Sequence, residues 1–140
     1  MIILGIDFGQ KRVGLAIAKE GIAFPYQTLF YSNLDSLMKE IKEVCQKEKI
    51  EKIVLGLAKT KKGEIGFEAK KQIEFKKKLE NKLKIPIILQ NEILTTKEAE
   101  RILEEQKIKK DKIQRLKDSL AAQLLLESYL ESFLERGKGG

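Results

Sequence analysis

The 140-residue sequence contains no histidine and a single cysteine, Cys45. Without an imidazole, Ser-His catalysis, Cys-His catalysis and His-ligated metal sites are all excluded. One cysteine cannot form an internal disulfide, and no cluster of cysteine and histidine exists for a zinc or iron–sulfur site. Chemistry in this chain must therefore depend on carboxylates, amines or hydroxyls, and the cysteine usage fits a reducing compartment.

A long hydrophobic run is also missing. The N-terminal apolar segment, Met1 to Ile6, is too short for a signal peptide or a membrane span, and no basic segment precedes it. We therefore expect a soluble, cytoplasmic protein.

Positive charge is in excess. Lys and Arg number 28 against 21 Asp and Glu, which gives a formal net charge of +7. A basic surplus of this kind on a small domain favours a polyanion partner, and nucleic acid is the simplest candidate. The length fits one domain, which we expect to span residues 1–136, followed by a flexible glycine-rich tail over residues 137–140.

The hydrophobic pattern predicts five strands, over residues 2–8, 12–18, 22–31, 53–57 and 87–89. The first two should form a tight hairpin, and Pro25 should place the third at an edge. Helical periodicity predicts an amphipathic helix that begins at Leu34 and buries Cys45, with further helices over residues 67–84, 95–105 and 118–134. This order predicts an α/β fold with a mixed five-stranded sheet, an antiparallel meander plus parallel strands, flanked by helices.

Three carboxylates are expected at one edge of this sheet. The strands at residues 2–8, 53–57 and 87–89 are the most apolar, so they should be central and parallel, with their carboxyl ends at the edge where open α/β sheets bind ligands. Asp7 and Glu92 follow two of these runs, and Asp118 opens the last predicted helix, where small neighbours allow a close approach to the sheet. Ligands that offer only oxygen atoms suit Mg²⁺ or Mn²⁺, and a site that holds these ions can hydrolyse phosphodiesters without an imidazole.

Each carboxylate also has a purely structural interpretation. Asp7 could shape the hairpin, Glu92 could be a solvated loop residue, and Asp118 could be only the N-cap of the last helix. Asp7 is the strongest candidate for a functional role, because a charge beside a buried strand is costly unless something pairs with it.

Basic side chains lie close to the carboxyl ends of two of the predicted strands. Cations beside a carboxylate cluster would hold a phosphate backbone over the metal ions. The residues are Lys11 and Arg12 in the hairpin, and Lys59, Lys61 and Lys62 in the loop after the strand at residues 53–57. The many lysines of the helix over residues 67–84 are interpreted instead as a solvated face.

Four motifs together resemble the YqgF family, whose members are described as Holliday junction resolvases and as pre-16S ribosomal RNA nucleases. They span nearly the whole chain in order: LGIDFGQKRVG from Leu4, VLGL from Val54, EILTT from Glu92 with AER from Ala99, and KDSLAA from Lys117. The resemblance implies a ribonuclease H-like fold and a catalytic, metal-binding trio of Asp7, Glu92 and Asp118. It also implies nucleic-acid-binding roles for Arg12 and Arg101.

The chain departs from the family pattern next to Glu92. Asn91 stands where the family usually has an acidic residue, and Ile93 stands where it usually has arginine. Lys19 replaces an acidic residue that often ends the second strand, and Ala58 replaces a common proline. Because the trio is retained we expect activity, and the departures bear on its rate and substrate preference.

Four functions are compatible with these residues. The first is a Mg²⁺- or Mn²⁺-dependent endonuclease that processes the 5′ end of precursor 16S rRNA. The second is a Holliday junction resolvase, whose two symmetric cuts require a dimer; we expect a monomer or weak homodimer. A catalytically impaired nucleic-acid-binding protein is the third. The fourth is an ATP-binding module, because the segment Gly5 to Gly9 resembles the phosphate hairpin of the actin and Hsp70 superfamily, but no second phosphate motif accompanies it.

Overall fold

Five strands and three long helices make up most of what the computed structural model describes, which is residues 1–9, 11–57, 67–91, 101–102, 104–105 and 110–138. The elements in chain order are β1 (Ile2–Phe8), β2 (Arg12–Lys19), β3 (Ile22–Phe30), α1 (Leu34–Glu48), β4 (Lys52–Leu57), α2 (Phe67–Leu83), β5 (Ile87–Asn91) and α3 (Lys110–Lys138). No helix in these ranges is long and apolar enough to cross a membrane.

The strands form one mixed sheet in the order β3-β2-β1-β4-β5. The pairs β1–β2 and β2–β3 are antiparallel, and the pairs β1–β4 and β4–β5 are parallel, as predicted. The strand that contains Pro25 lies at an edge, which confirms that prediction. The prediction of a central position is wrong for β5, which is the other edge of the described sheet. Ile87 is buried and Leu89 packs against the larger core, and sequence periodicity cannot distinguish such packing from a position between two strands.

Alternation along β1 divides its side chains between the two faces of the sheet. Leu4, Ile6 and Phe8 join the larger core with α1 and α2. Ile3 joins a smaller cluster with Ala122, Leu125 and Leu126 of α3. Since successive side chains on a strand point to opposite faces, Asp7 shares the α3 face of the sheet with Ile3.

Helix α1 matches its prediction. The side chain of Asn33 accepts a hydrogen bond of 2.8 Å from the Ser36 backbone and caps the helix, which buries Leu37, Ile41 and Cys45 among others. Burial raises the pKa of the Cys45 thiol from 9.0 to about 11. The folded state therefore holds this proton more tightly than the unfolded chain does, and the resulting stabilisation is complete below pH ~9 and is lost as the pH rises toward 11.

We expect Cys45 to resist thiol reagents in the native protein. A rise of the pKa to about 11 lowers the thiolate fraction at pH 8 by about two orders of magnitude, and the side chain is only 5% exposed. The rate of reaction with a disulfide reagent, measured in buffer and in guanidinium chloride, checks this. Rapid stoichiometric labelling of the native protein would contradict the burial of Cys45.

Helix α3 begins earlier than predicted. It starts at Lys110 and ends at Lys138, so residues 137 and 138 of the predicted tail are helical. The segment between Lys110 and Asp118 has neither glycine nor proline and is rich in helix-forming residues, so nothing in it stops the helix. Asp118 therefore lies two turns inside α3, and its interpretation as an N-cap is wrong. Residues 101–102 and 104–105 are helical as predicted, and the rest of the predicted helix over 95–105 lies outside the described residues.

Candidate active site

The β1–β2 hairpin holds Asp7 at the carboxyl end of β1. Asp7 is the register partner of Gly14 on β2. The turn is closed by the Gly9 amide, which donates a 3.0 Å hydrogen bond to the Arg12 carbonyl. On its other side the Tyr31 hydroxyl donates to the Gly9 carbonyl. The backbone of the hairpin is therefore fixed from two directions, and the partly buried Asp7 sits on a well-supported strand end.

Gly14 is the point at which α3 touches the sheet. A Cβ atom on Gly14 would overlap the backbone carbonyl of Asp118, so only glycine leaves room for the helix here. Ala121 and Ala122 are 1% and 0% exposed, which confirms that small residues let the helix approach closely. Asp7 is the strand partner of Gly14 and the backbone of Asp118 lies against Gly14, so the structure brings these two predicted residues to the same glycine.

The role of Gly14 was missed by sequence reasoning, although a signal for it exists. After Arg12, the α3 face of β2 carries small residues in alternation, Gly14, Ala16 and Ala18, and Gly5 lies beside them on β1. A strip of small residues at period two predicts that another element packs close to the strand.

Arg12 forms an ion pair with one of the two carboxylates, that of Asp118. Its Nε atom lies 3.3 Å from Oδ2 of Asp118, and the two side chains are 33% and 14% exposed. Alternation places Arg12 on the same face of β2 as Gly14. The sequence predicted Arg12 beside Asp7, and the structure adds the contact with Asp118. Lys11, the preceding residue, is exposed at the tip of the hairpin.

The other predicted site residues are not brought to this point by the described structure. Glu92, Lys59, Lys61 and Lys62 lie outside the described residues. Arg101 is 72% exposed and forms a 4.0 Å ion pair with Glu105, one turn away. Within the described ranges, no three His, Cys, Asp or Glu side chains are grouped as a metal site would require.

The donors at the site are compatible with a hard divalent cation. Asp7 and Asp118 offer only carboxylate oxygens, which are the ligands that Mg²⁺ and Mn²⁺ prefer. The carboxylate of Asp118 is largely shielded from water, and its charge is balanced in part by Arg12. Two aspartates that meet at one glycine through strand register and helix packing provide donors of the type that such a cation requires.

Relatives of the chain are nucleases by name. A protein of Caldanaerobacter subterraneus subsp. tengcongensis is 38% identical over 135 residues, which cover 94% of this chain and 97% of that protein. A protein of Clostridium acetobutylicum is 36% identical over 135 residues, or 94% of this chain and 99% of that protein. Both are named as candidate pre-16S rRNA nucleases.

Solved structures with the same fold are resolvases. The complex of Thermus thermophilus RuvC with a Holliday junction superposes with a TM-score of 0.62 at 16% identity, over 96% of both chains. The Fowlpox virus resolvase in complex with Holliday junction DNA gives a TM-score of 0.59 at 19% identity, over 96% of this chain and 99% of that one. At these identities the likeness shows the fold alone, which is ribonuclease H-like, as the sequence predicted.

The family assignment covers the elements that carry Asp7, Arg12 and Asp118. The model of the RuvX family, described as Holliday junction resolvase, matches residues 1–132. This family is the one that the motifs resemble under the name YqgF. With the hairpin, the glycine contact and the relatives all in agreement, the chain belongs to the RuvX family of ribonuclease H-like nucleases.

Proposed function

We propose that the protein is a Mg²⁺- or Mn²⁺-dependent endonuclease that processes the 5′ end of precursor 16S rRNA in the cytoplasm. The observation that carries this proposal is the meeting of Asp7 and Asp118 at Gly14. The names of the relatives support the choice of substrate. Glu92 is the third ligand of the proposal, because it directly follows Asn91 at the end of β5, and β5 runs parallel to β4 and β1.

The metal ions would be held by Asp7, Asp118 and Glu92. When bound, they would activate a water and stabilise the charge on the leaving oxygen of the phosphodiester. The protein contributes the positions of the ligands. Asp7 is fixed by the hairpin, and Asp118 is fixed by the packing of α3 on Gly14 and by its contact with Arg12. These constraints fix the backbone of two of the proposed ligands before a metal ion binds.

Basic side chains around this point would bind the phosphate backbone. Arg12 is the best supported, because it is already placed beside Asp118 and is one third exposed. Phosphate contacts fix the register of the substrate without reading its sequence. The other residues of the proposed backbone contact are Lys11, Lys59, Lys61, Lys62 and Arg101.

Replacing Arg12 with glutamine should separate substrate binding from metal binding. Loss of a phosphate contact should raise KM for RNA about fivefold to tenfold. The same change removes a cation beside Asp118, so the Mg²⁺ concentration for half-maximal activity should fall. Cleavage rates measured over a matrix of RNA and Mg²⁺ concentrations give both values. If Arg12→Gln requires more Mg²⁺ than the wild type, Arg12 does not act as a competing cation at Asp118.

Cleavage of a four-way junction is the second candidate, favoured by the description of the family. Incubation of the protein with a precursor 16S rRNA fragment and with a four-way DNA junction, each with Mg²⁺ or Mn²⁺, tests both. We expect cleavage of the RNA fragment and little cleavage of the junction. Symmetric cutting of the junction by a protein that sediments as a dimer would favour the resolvase. Binding of both without cleavage would favour a catalytically impaired protein, in which Asn91 and Ile93 would be the departures to restore.

A further inference from the structure

The solvent side of α2 is unusually basic. Between Lys70 and Leu83 the helix has seven exposed positions, of which one is acidic, Glu74, and one is neutral, Asn81. The remaining five, called here the α2 lysine face, are Lys70, Lys71, Lys77, Lys78 and Lys82.

Helix α1, on the same face of the sheet, shows what a balanced surface looks like in this chain. Its exposed positions carry three lysines and three acids, and the remaining two are neutral. The lysines are Lys39, Lys42 and Lys47, and the acids are Asp35, Glu40 and Glu43. A generally lysine-rich composition would make the two helices alike, so the imbalance is specific to α2.

The imbalance has a cost that the helix offsets only in part, through Glu74, which lies one turn from Lys70 and from Lys78. Lysines at positions 78 and 82 are one turn apart, and like charges at this spacing destabilise a helix. Glu80, at the flank of α2, is already engaged, because it forms an ion pair of 2.5 Å with Lys76. A polyanion lying along the helix would relieve this repulsion.

The α2 lysine face begins at the catalytic edge of the sheet. The buried side chain of Gln72 donates a 3.3 Å hydrogen bond to the carbonyl of Phe8. The ring of Phe75 stacks on the ring of Phe8 with centroids 4.4 Å apart. Phe8 follows Asp7 directly and faces the other side of the sheet, so Lys70 and Lys71 lie at the same end of the strands as the candidate active site, on the face opposite α3. From there α2 runs toward the other end of the strands, where β5 begins.

We infer that the α2 lysine face binds the phosphate backbone of the substrate on one side of the cleaved bond, which assigns these lysines a binding role rather than that of a solvated face. The inference rests on the proposed function for the identity of the RNA. The stretch from Lys70 to Lys82 is about 18 Å long at 1.5 Å per residue, and a strand of duplex rises about 3.4 Å per phosphate, so about five phosphates fit along it. Contacts with the phosphate backbone position the substrate and do not depend on its base sequence.

The test compares two triple variants that remove the same charge from two helices. One is Lys70→Gln, Lys77→Gln and Lys78→Gln on α2, and the matched control is the corresponding replacement of Lys39, Lys42 and Lys47 on α1. Both are made with Asp7→Asn, so that binding of the precursor 16S rRNA fragment is measured without cleavage. Thermal unfolding of each variant checks that these exposed replacements leave the fold intact.

We expect the α2 triple variant to bind about tenfold more weakly at 0.1 M salt, and its plot of log K against log salt to be shallower by about two. The α1 triple variant should stay within about twofold of its parent, because the exposed side of α1 carries as many acids as lysines and so has no net positive charge to attract a polyanion. A short RNA that covers only the cleavage region should bind the α2 variant and its parent alike. Equal weakening by both triples, or weakening by the α2 triple without a change of slope, would overturn the inference.

Failure of the proposed function gives a different result. If four-way junction DNA replaces the RNA as the bound and cleaved substrate and the α2 triple still weakens its binding, the backbone-binding role stands and the rRNA assignment falls. If the RNA is cleaved by the wild type and the two triples bind it equally, the rRNA assignment stands and the α2 lysine face has no part in it.

Discussion

Replacing Asp7 with asparagine is expected to reduce the rate of RNA cleavage by at least about a hundredfold. Asparagine keeps the size and the place of the side chain opposite Gly14, so the hairpin and its packing should be retained. What it loses is a negative charge at a site where a hard cation is proposed to bind, and a neutral amide oxygen is a much weaker ligand for such a cation than a carboxylate. Initial rates on the precursor 16S rRNA fragment, with Mg²⁺ and then with Mn²⁺, measure the effect.

A matched variant separates the loss of this charge from a general change in charge. Glu20 is exposed in the turn between β2 and β3, at the opposite end of β2 from Arg12, so Glu20→Gln removes the same charge from a surface away from the candidate active site. Its cleavage rate should equal that of the wild type. Asp7→Asn should still bind the RNA fragment, because one fewer negative charge near the backbone favours a polyanion. If Asp7→Asn cleaves as fast as the wild type, the carboxylate–metal mechanism is wrong.

The sheet was predictable because its strands are short apolar runs with clear ends. The apolar residues of β1 stop at the turn that contains Gly9, and those of β2 follow at once, so a hairpin was the simplest solution. Pro25 was equally informative, because a residue without an amide donor is tolerated at an edge. The position of β5 was not predictable, because coverage by helices and coverage by strands produce the same apolar run.

The sequence singles out Asp7, Arg12 and Asp118 as candidates and predicts only part of their geometry. Asp7 follows from its place after a buried strand, whereas Asp118 resembled a helix cap because an apolar run follows it and aspartate favours that position. The start of α3 at Lys110 removes that interpretation. The ion pair between Arg12 and Asp118, at 3.3 Å, could not be predicted from the hydrophobic periodicity of the sequence. It depends on how the helix is positioned over the strand, which is decided by packing.

Replacing Gly14 with alanine is expected to damage both the fold and the site. The new Cβ would meet the backbone carbonyl of Asp118, which cannot rotate away as a flexible side chain would. The helix must shift from the sheet, at a cost of about 2–3 kcal/mol in the free energy of unfolding. In a domain of this size that lowers the melting temperature by roughly 6–12 °C, which thermal unfolding by circular dichroism measures.

The same shift should reduce cleavage more than the loss of folded protein explains. Asp118 moves with the helix while Asp7 stays on its strand, and a displacement of about 1 Å in a catalytic group costs up to about a hundredfold in rate. The cleavage rate should therefore be measured at a temperature where Gly14→Ala is fully folded. Normal cleavage by folded Gly14→Ala would show that the approach of α3 to Gly14 does not set the position of Asp118.

Gly5→Ala provides the comparison that distinguishes a shifted site from a weakened core. A Cβ on Gly5 would lie 2.6 Å from Cγ of Leu126, which is fully buried, and 3.1 Å from the carbonyl of Ala122, so the core must shift there too. Leu126 lies two turns beyond Asp118 on α3, so adjustment there need not move the carboxylate. Gly5→Ala should therefore lose about 1–3 kcal/mol of stability and keep its cleavage rate when folded. If both variants lose activity in proportion to stability alone, the contact at Gly14 serves only the core and the proposed coupling between α3 and the site is absent.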